Sequence, residues 1–162
     1  MSLLYEKIIR PLLFKLEAER AHQIAAFSMR ILGKTSPLRG LVAYYCQTKS
    51  SPVRLFGLDF PNPVGLAAGM DKNGEFIKSA FALGFGHVEI GTITPQRQLG
   101  NARPRLFRYP SVNGIVNRMG FNNDGAEIVA DRIKRNYPKG KRNAPLGDRK
   151  STRLNSSHVE IS

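Results

Sequence analysis

The sequence predicts an α/β chain in which a helical N-terminal segment is followed by a parallel sheet whose strands are joined through helices. Three observations predict it. Apolar residues recur at helical spacing through the first 32 positions; Pro and Gly punctuation begins at Ser51-Pro52; and strand, loop, helix and strand then follow over residues 64–92. A parallel pair needs a crossover of a dozen or more residues, so the third pattern reads as a βαβ unit.

Residues 3–16 place Leu4, Ile8, Leu12 and Leu16 four apart with Ile9 and Leu13 beside them, while Glu6, Lys7, Arg10 and Lys15 take other faces. This is an amphipathic helix that Pro11 should kink or divide. A second helix is expected from Ala18 to Leu32, with Ile24, Phe27, Ser28 and Ile31 on one stripe and Gly33 as its stop. Helices with such wide apolar sides can pair as a hairpin, pack on a larger body or lie in a membrane surface.

Past Ser50-Ser51-Pro52 the composition changes, and a domain boundary is expected near residue 52. Residues 53–56 and 58–60 flank Gly57 as a small hairpin, and Pro61-Asn62-Pro63 closes it. Residues 64–67 read as a short buried strand, 68–73 as a loop, 74–83 as a helix carrying Phe76, Ile77, Ala80 and Phe81, and 87–92 as the next strand. A long polar loop spans 94–105, short strands follow at 106–109 and 114–116, and 117–123 is another loop. Asp124 is placed to cap a helix through Asn136 whose Ala126, Val129, Ala130 and Ile133 share a face, and 144–147 begins one more strand. Residues 148–162 lack helical or strand periodicity, interrupt what should be a buried strand and resemble translated adapter sequence; we read them as a non-native tail. The sequon Asn155-Ser156-Ser157 therefore carries no weight.

The 162 residues hold 25 Lys and Arg against 12 Asp and Glu, a formal charge of +13. With 41% hydrophobic residues, 15 Gly and 10 Pro, they suit a globular chain and exclude collagen, a disulfide scaffold and wholesale disorder. Lys7, Arg10 and Lys15 break the most apolar stretch well short of a spanning helix. The start lacks a separate basic region, an uninterrupted apolar run and a cleavage site, and is read as mature sequence. Cys46 is the one cysteine, which precludes an internal disulfide and favours a reducing compartment. The positive charge gathers at the two ends, with residues 55–131 neutral overall. Basic flanks could meet phosphates, and a basic membrane-surface or nucleic-acid binding module is the alternative reading. No zinc spacing, RNP-like aromatic motif or repeat accompanies them, so no nucleic-acid partner is expected, and no metal site.

Three segments carry chemistry. Ala67-Ala68-Gly69-Met70-Asp71-Lys72 puts small residues at the C-terminal end of a parallel strand, where backbone N–H and C=O groups can approach a flat ligand and a lysine can meet an electron-rich group. On its own the same run reads more readily as a tight βα turn with a surface lysine. Glu89-Ile90-Gly91-Thr92 ends the next strand with a hydroxyl, although a threonine there is usually structural. Asn117-Arg118-Met119-Gly120-Phe121-Asn122 offers a carboxamide, a guanidinium and a glycine-loosened run of amides suited to a small carboxylate or imide; the plainer reading is an Asn/Gly loop with a core Met and Phe.

Together VGLAAGMDKNGE, HVEIGTITPQRQLGNARPRLFRYP and GIVNRMGFNNDG closely resemble the membrane-associated, quinone-dependent family of dihydroorotate dehydrogenases. The resemblance covers residues 1–147, including AERAH at 18–22. It implies a (β/α)8 TIM barrel, incomplete here, preceded by a small N-terminal helical domain: residues 1–52 would be the membrane and quinone-access domain and 53–147 the first part of the FMN-binding barrel. It implies FMN as cofactor, oxidation of dihydroorotate to orotate with quinone as acceptor in pyrimidine (UMP) biosynthesis, and a peripheral place at the membrane surface, on the cytoplasmic face of the cell membrane. Ala68, Gly69, Met70, Asp71 and Lys72 match the FMN loop and Thr92 a further FMN contact. Lys72 also matches a substrate contact, with Asn117, Arg118, Met119, Gly120 and Phe121; Asn117 would hydrogen-bond the pyrimidine and the backbone after it would hold the carboxylate. His22, otherwise an ordinary surface or capping histidine, falls near the quinone mouth with Arg108 as its partner.

The family's catalytic base is a serine in a loop beyond the matching region, and Ser151, Ser156 and Ser157 do not match it, so no catalytic base is assigned. A barrel takes about 250 residues, of which 53–147 would supply roughly three βα units. The expectation is a piece of an enzyme, inactive alone.

Overall fold

The structure, a computed structural model, describes residues 3–47, 51–139 and 144–150. It divides into two compact units, residues 1–28 with 101–120 and residues 29–100 with 121–162.

In the first unit a π-helical turn over Tyr5–Ile9 runs into α1 (Arg10–Phe14). Pro11 lies where the π-helical turn gives way to α1, so it divides the segment into two helical geometries without ending it. Glu17 then starts α2 (Ala18–Lys34) by accepting the amide N–H groups of Glu19 and Arg20, both at 3.1 Å. The buried face of α2 is not the expected stripe. Ala18, Ala21 and Ala26 are buried, whereas Ile24 and Phe27 are 48% and 58% exposed. Alanines bring a helix axis closer to what it packs on, a preference that a count of hydrophobicity ranks below Ile and Phe. β5 (Leu106–Tyr109) and β6 (Gly114–Asn117) form an antiparallel hairpin pairing Leu106 with Asn117 and Tyr109 with Gly114.

The second unit contains a helix that the periodicity did not predict. Gly33 does not stop α2, which runs one residue further; after Thr35, α3 follows as Ser36–Tyr45 with Pro37 in its first turn. Gly33 answers a need for space instead: a Cβ there would come within 2.9 Å of Ser79 Oγ, whose hydroxyl donates to the Met29 carbonyl. β1 (Val53–Leu55) and β2 (Leu58–Phe60) pair antiparallel across Phe56-Gly57, both at positive φ (52° and 74°), as a two-residue type I′ turn requires.

A parallel sheet follows in the order β3 (Gly65–Leu66), β4 (His87–Ile93), β7 (Leu146–Lys150). α4 (Ile77–Ala82) lies in the connection from β3 to β4, and α5 (Ala126–Asn136) in that from β4 to β7. Val88 and Ile90 alternate on the helix-covered face of β4 and join Ile77, Ala80, Val129 and Ile133 in the core. Three expectations are corrected. α4 is shorter than 74–83, because Gly74 sits at φ 64°, outside the helical region. Asp124 does not cap α5: Gly125 at φ 91° turns the chain there, and the Asp124 carboxylate accepts from Arg132 at 2.7 Å instead. Regular structure does not end at Gly147, since Asp148–Lys150 continue β7 against Ile90, Gly91 and Ile93. A parallel ladder is built from backbone groups and admits polar side chains on a strand that lies at the edge among the described residues. Residues 151–162, with Ser151, Ser156, Ser157 and the sequon, lie outside the described residues.

Among the described residues no helix is long and apolar enough to cross a membrane.

Candidate functional site

In the second unit, the C-terminal ends of β3 and β4 are tied together by their backbones. Gly69 N–H donates to the Gly91 carbonyl (2.8 Å), and Gly91 N–H to the Asp71 carbonyl (3.1 Å). Asp71 is turned inward at 1% exposure; its carboxylate accepts the amide N–H groups of Glu75 (2.8 Å) and Phe76 (3.0 Å), and burial pushes its carboxyl above the usual range. Asp71 therefore shapes the loop that leads into α4. Gly69 is exposed at φ 105°, where only glycine rests without strain, and nothing lies within 4 Å of where a Cβ would be. Ala68 and Met70 are half-buried, and the Ala68 amide N–H donates to Glu89 Oε2 (3.3 Å). Thr92 is half-buried near the end of β4.

Lys72 stands beyond this open face with its ammonium donating to Asn122 Oδ1 at 2.7 Å. The next residue, Asn123, is buried and fully engaged. Its Oδ1 accepts the amide N–H groups of Thr94 (3.3 Å) and Gly125 (2.9 Å), and its Nδ2 donates to Thr94 Oγ1 (2.8 Å) and the Phe121 carbonyl (2.6 Å). Phe121 is 37% exposed. Asn122 and Asn123 thus hold the lysine and the loop, roles that sequence reasoning missed; two consecutive carboxamides after a glycine were the available signal.

In the first unit, Asn117, Arg118 and Gly120 are exposed while Met119 is buried. Asn117 Oδ1 accepts the Met119 N–H (2.9 Å), which curls the loop onto itself. Asn101 holds it from outside, its amide N–H donating to the Met119 carbonyl (3.0 Å) and its Nδ2 to the Arg118 carbonyl (2.7 Å). A separate cavity of about 410 Å³ in this unit is lined by Phe14, Ala21, His22, Arg108 and Ile115 among others. Arg108 donates to the Leu13 and Leu16 carbonyls (3.3 and 3.0 Å) and lies 4.7 Å from the centroid of the Phe14 ring, so one cation secures the end of α1 and stacks on an aromatic wall. His22 is half-buried on α2.

Chemically, the strand ends offer a fixed ammonium, a hydroxyl and a face cleared of side chains. That donor set suits the ring end of FMN, which is flat and carries carbonyl oxygens and ring nitrogens along one edge. The Asn117–Gly120 loop offers an exposed carboxamide and an exposed guanidinium. The 410 Å³ cavity has apolar and aromatic walls with Arg10, His22 and Arg108 among its lining.

Comparison with known proteins identifies the family. The family model described as dihydroorotate dehydrogenase matches residues 51–159. A protein of Methylococcus capsulatus named dihydroorotate dehydrogenase (quinone) is 47% identical over 138 residues, 85% of this chain and 40% of that protein. The protein of the same name from Stenotrophomonas maltophilia is 52% identical over 128 residues, 79% of this chain and 36% of its own. Among solved structures, the dihydroorotate dehydrogenase of Eimeria tenella in complex with ferulenol aligns with a TM-score of 0.59 at 35% identity, covering 78% of this chain and 34% of that one. The chain spans about two fifths of the length of the curated relatives it matches.

Proposed function

Because the chain belongs to the dihydroorotate dehydrogenase family, we propose that it forms part of a flavoenzyme that oxidises dihydroorotate to orotate and delivers the electrons to a quinone, in pyrimidine (UMP) biosynthesis. The observation that carries this reading is the bond from Lys72 to Asn122, which joins the AAGMDK and NRMGFNN motifs at the C-terminal end of a parallel strand pair.

In this reading FMN lies on the open face over Ala68 and Gly69 and is held by the Lys72 ammonium and Thr92, and Met70 and Asp71 shape the loop around it. Bound FMN supplies the two-electron acceptor. Asn122 aims the Lys72 ammonium, a cation that attracts ring carbonyl oxygens of cofactor and substrate. The Asn117 carboxamide hydrogen-bonds the pyrimidine and the segment that follows it, Arg118 to Phe121, holds its carboxylate. The proton that leaves the adjacent ring carbon needs a base, and none of the residues matched here is assigned to it.

The cavity of His22 and Arg108 serves quinone. Residues 1–52 act as the access domain and rest on a membrane surface, on its cytoplasmic face, through Leu4, Ile8, Leu12 and Phe27, all exposed, while Lys7, Arg10 and Lys15 attract anionic lipid. Residues 53–147 are the first part of a (β/α)8 barrel. The order β3-β4-β7 supports this, since each strand joins beside its predecessor as barrel winding requires, without the reversal of a doubly wound sheet. A basic binding module, by contrast, has no use for the Lys72–Asn122 pair. The test is to express this segment within a chain of its relatives' full length. The purified protein is expected to be yellow and to reduce a short-chain quinone with dihydroorotate; a colourless protein without that turnover would overturn the reading.

A further inference from the structure

Glu19 is 2% exposed, and the chemistry proposed above makes no use of it. It lies on α2, three residues before His22. Its carboxylate accepts from Arg105, Nη2 at 2.8 Å and Nε at 3.2 Å, and from Arg103 Nη2 at 3.0 Å. The hydrogen bond from Arg105 and the charge of both guanidinium groups hold its carboxyl below the usual range, against the opposing effect of burial.

Arg105 is buried as well, and it faces two ways. Its side chain grips α2 through Glu19. Its carbonyl accepts the Arg118 N–H at 2.9 Å, and its Nη1 donates to the Asn101 carbonyl at 3.0 Å. Asn101 in turn holds the Arg118 and Met119 carbonyls. All of these residues belong to one compact unit. An unbroken series of hydrogen bonds therefore runs from the helix bearing His22 to the backbone of the Asn117–Gly120 loop. A planar guanidinium fixes angle as well as distance in a forked contact, so a tilt of α2 is passed on to the loop.

We propose that Arg105, clamped by Glu19, is a positioning residue that couples the quinone cavity to the substrate loop. This rests on the function proposed above. Because coupling is reciprocal, a ligand in the cavity changes affinity at the loop by the same factor as the reverse.

The test uses the full-length flavin-loaded enzyme. Orotate is titrated by its perturbation of flavin absorbance, with and without a saturating short-chain quinone, and the quinone KM is measured alongside. In the parent enzyme the quinone is expected to shift the orotate Kd by about 5-fold. Glu19→Gln should abolish the shift and raise the quinone KM about 10-fold. Asn101→Ala, at an exposed residue, should abolish the shift and raise the orotate Kd about 10-fold while leaving the quinone KM alone. A parent enzyme that shows no shift overturns the coupling, as does a Glu19→Gln variant that melts earlier with the shift and both constants intact, which is the signature of a mere brace. If Glu19→Gln does not fold, Asn101→Ala decides: a retained shift overturns the proposal. Failure of dihydroorotate to bleach the flavin of the parent enzyme would overturn the function itself, an outcome distinct from bleaching without linkage.

Discussion

Lys72 and Glu19 are the two charged side chains whose surroundings decide most at the scale of single residues. Lys72 is aimed by one carboxamide at a face that glycine keeps clear. Lys72→Ala and Asn117→Ala in the full-length enzyme are expected to lower turnover about 100-fold or more while circular dichroism and melting temperature hold, as when one preorganised donor is lost from an active site. Glu19 bears on stability. Its folded carboxyl is held below its unfolded value, so its contribution is complete at neutral pH and is lost as the pH falls through the folded value. Urea midpoints should fall on acidification in the parent and change less in Glu19→Gln. Removing the carboxylate side chain outright, by Glu19→Ala, leaves Arg105 uncompensated and should destabilise by about 3–5 kcal/mol. Lys72 was singled out in the sequence only through the resemblance of three segments taken together, since a lysine after Ala-Ala-Gly reads by itself as a tight turn with a surface charge. Asn122, Asn123 and Glu19 were not, because loop asparagines resemble turn formers and a helical glutamate resembles a solvated charge until its partner, 86 residues away, is known.

Among the elements, what the sequence showed and what it hid separate along physical lines. β4 and α5 were visible because each buries one face of a regular period, Val88 and Ile90 on the strand and Val129 and Ile133 on the helix. The break between α2 and α3 was hidden, since Gly33 reads as a stop although close packing on Ser79 is what demands it. The start of α5 was misread for a related reason: Asp124 is a good cap by type, but Gly125 owns the geometry. A Cβ on Gly125 would come 2.9 Å from the Arg97 amide nitrogen at a φ of 91°, so Gly125→Ala combines backbone strain with a clash. It should destabilise by about 2 kcal/mol or more, read as a lower thermal midpoint, against the gain of a few tenths that Gly→Ala gives at a permissive site. The N-terminal helices make a second prediction. Leu4, Ile8, Leu12 and Phe27 are exposed, and deleting residues 1–45 from the full-length enzyme should abolish binding to anionic vesicles and quinone-dependent turnover. A deletion variant that still sediments with those vesicles would refute the membrane role.

On the scale of the whole molecule, the parallel sheet has open edges at β3 and β7 among the described residues, and the chain reaches about two fifths of its relatives' length. The βαβ order could be read from periodicity, whereas closure of a barrel depends on strands that periodicity in these residues cannot supply. A protein of these 162 residues alone is expected to aggregate through those edges and to hold FMN weakly. The chemistry is tested most directly in the full-length enzyme by mixing it anaerobically with dihydroorotate and following the bleaching of its flavin absorbance, which isolates the first half-reaction from quinone and membrane alike. Rapid bleaching in the parent, slowed about 100-fold or more in both Lys72→Ala and Asn117→Ala at saturating dihydroorotate and equal flavin content, is the predicted result; bleaching at the parent rate in both variants would contradict the assignment of these loops to cofactor and substrate.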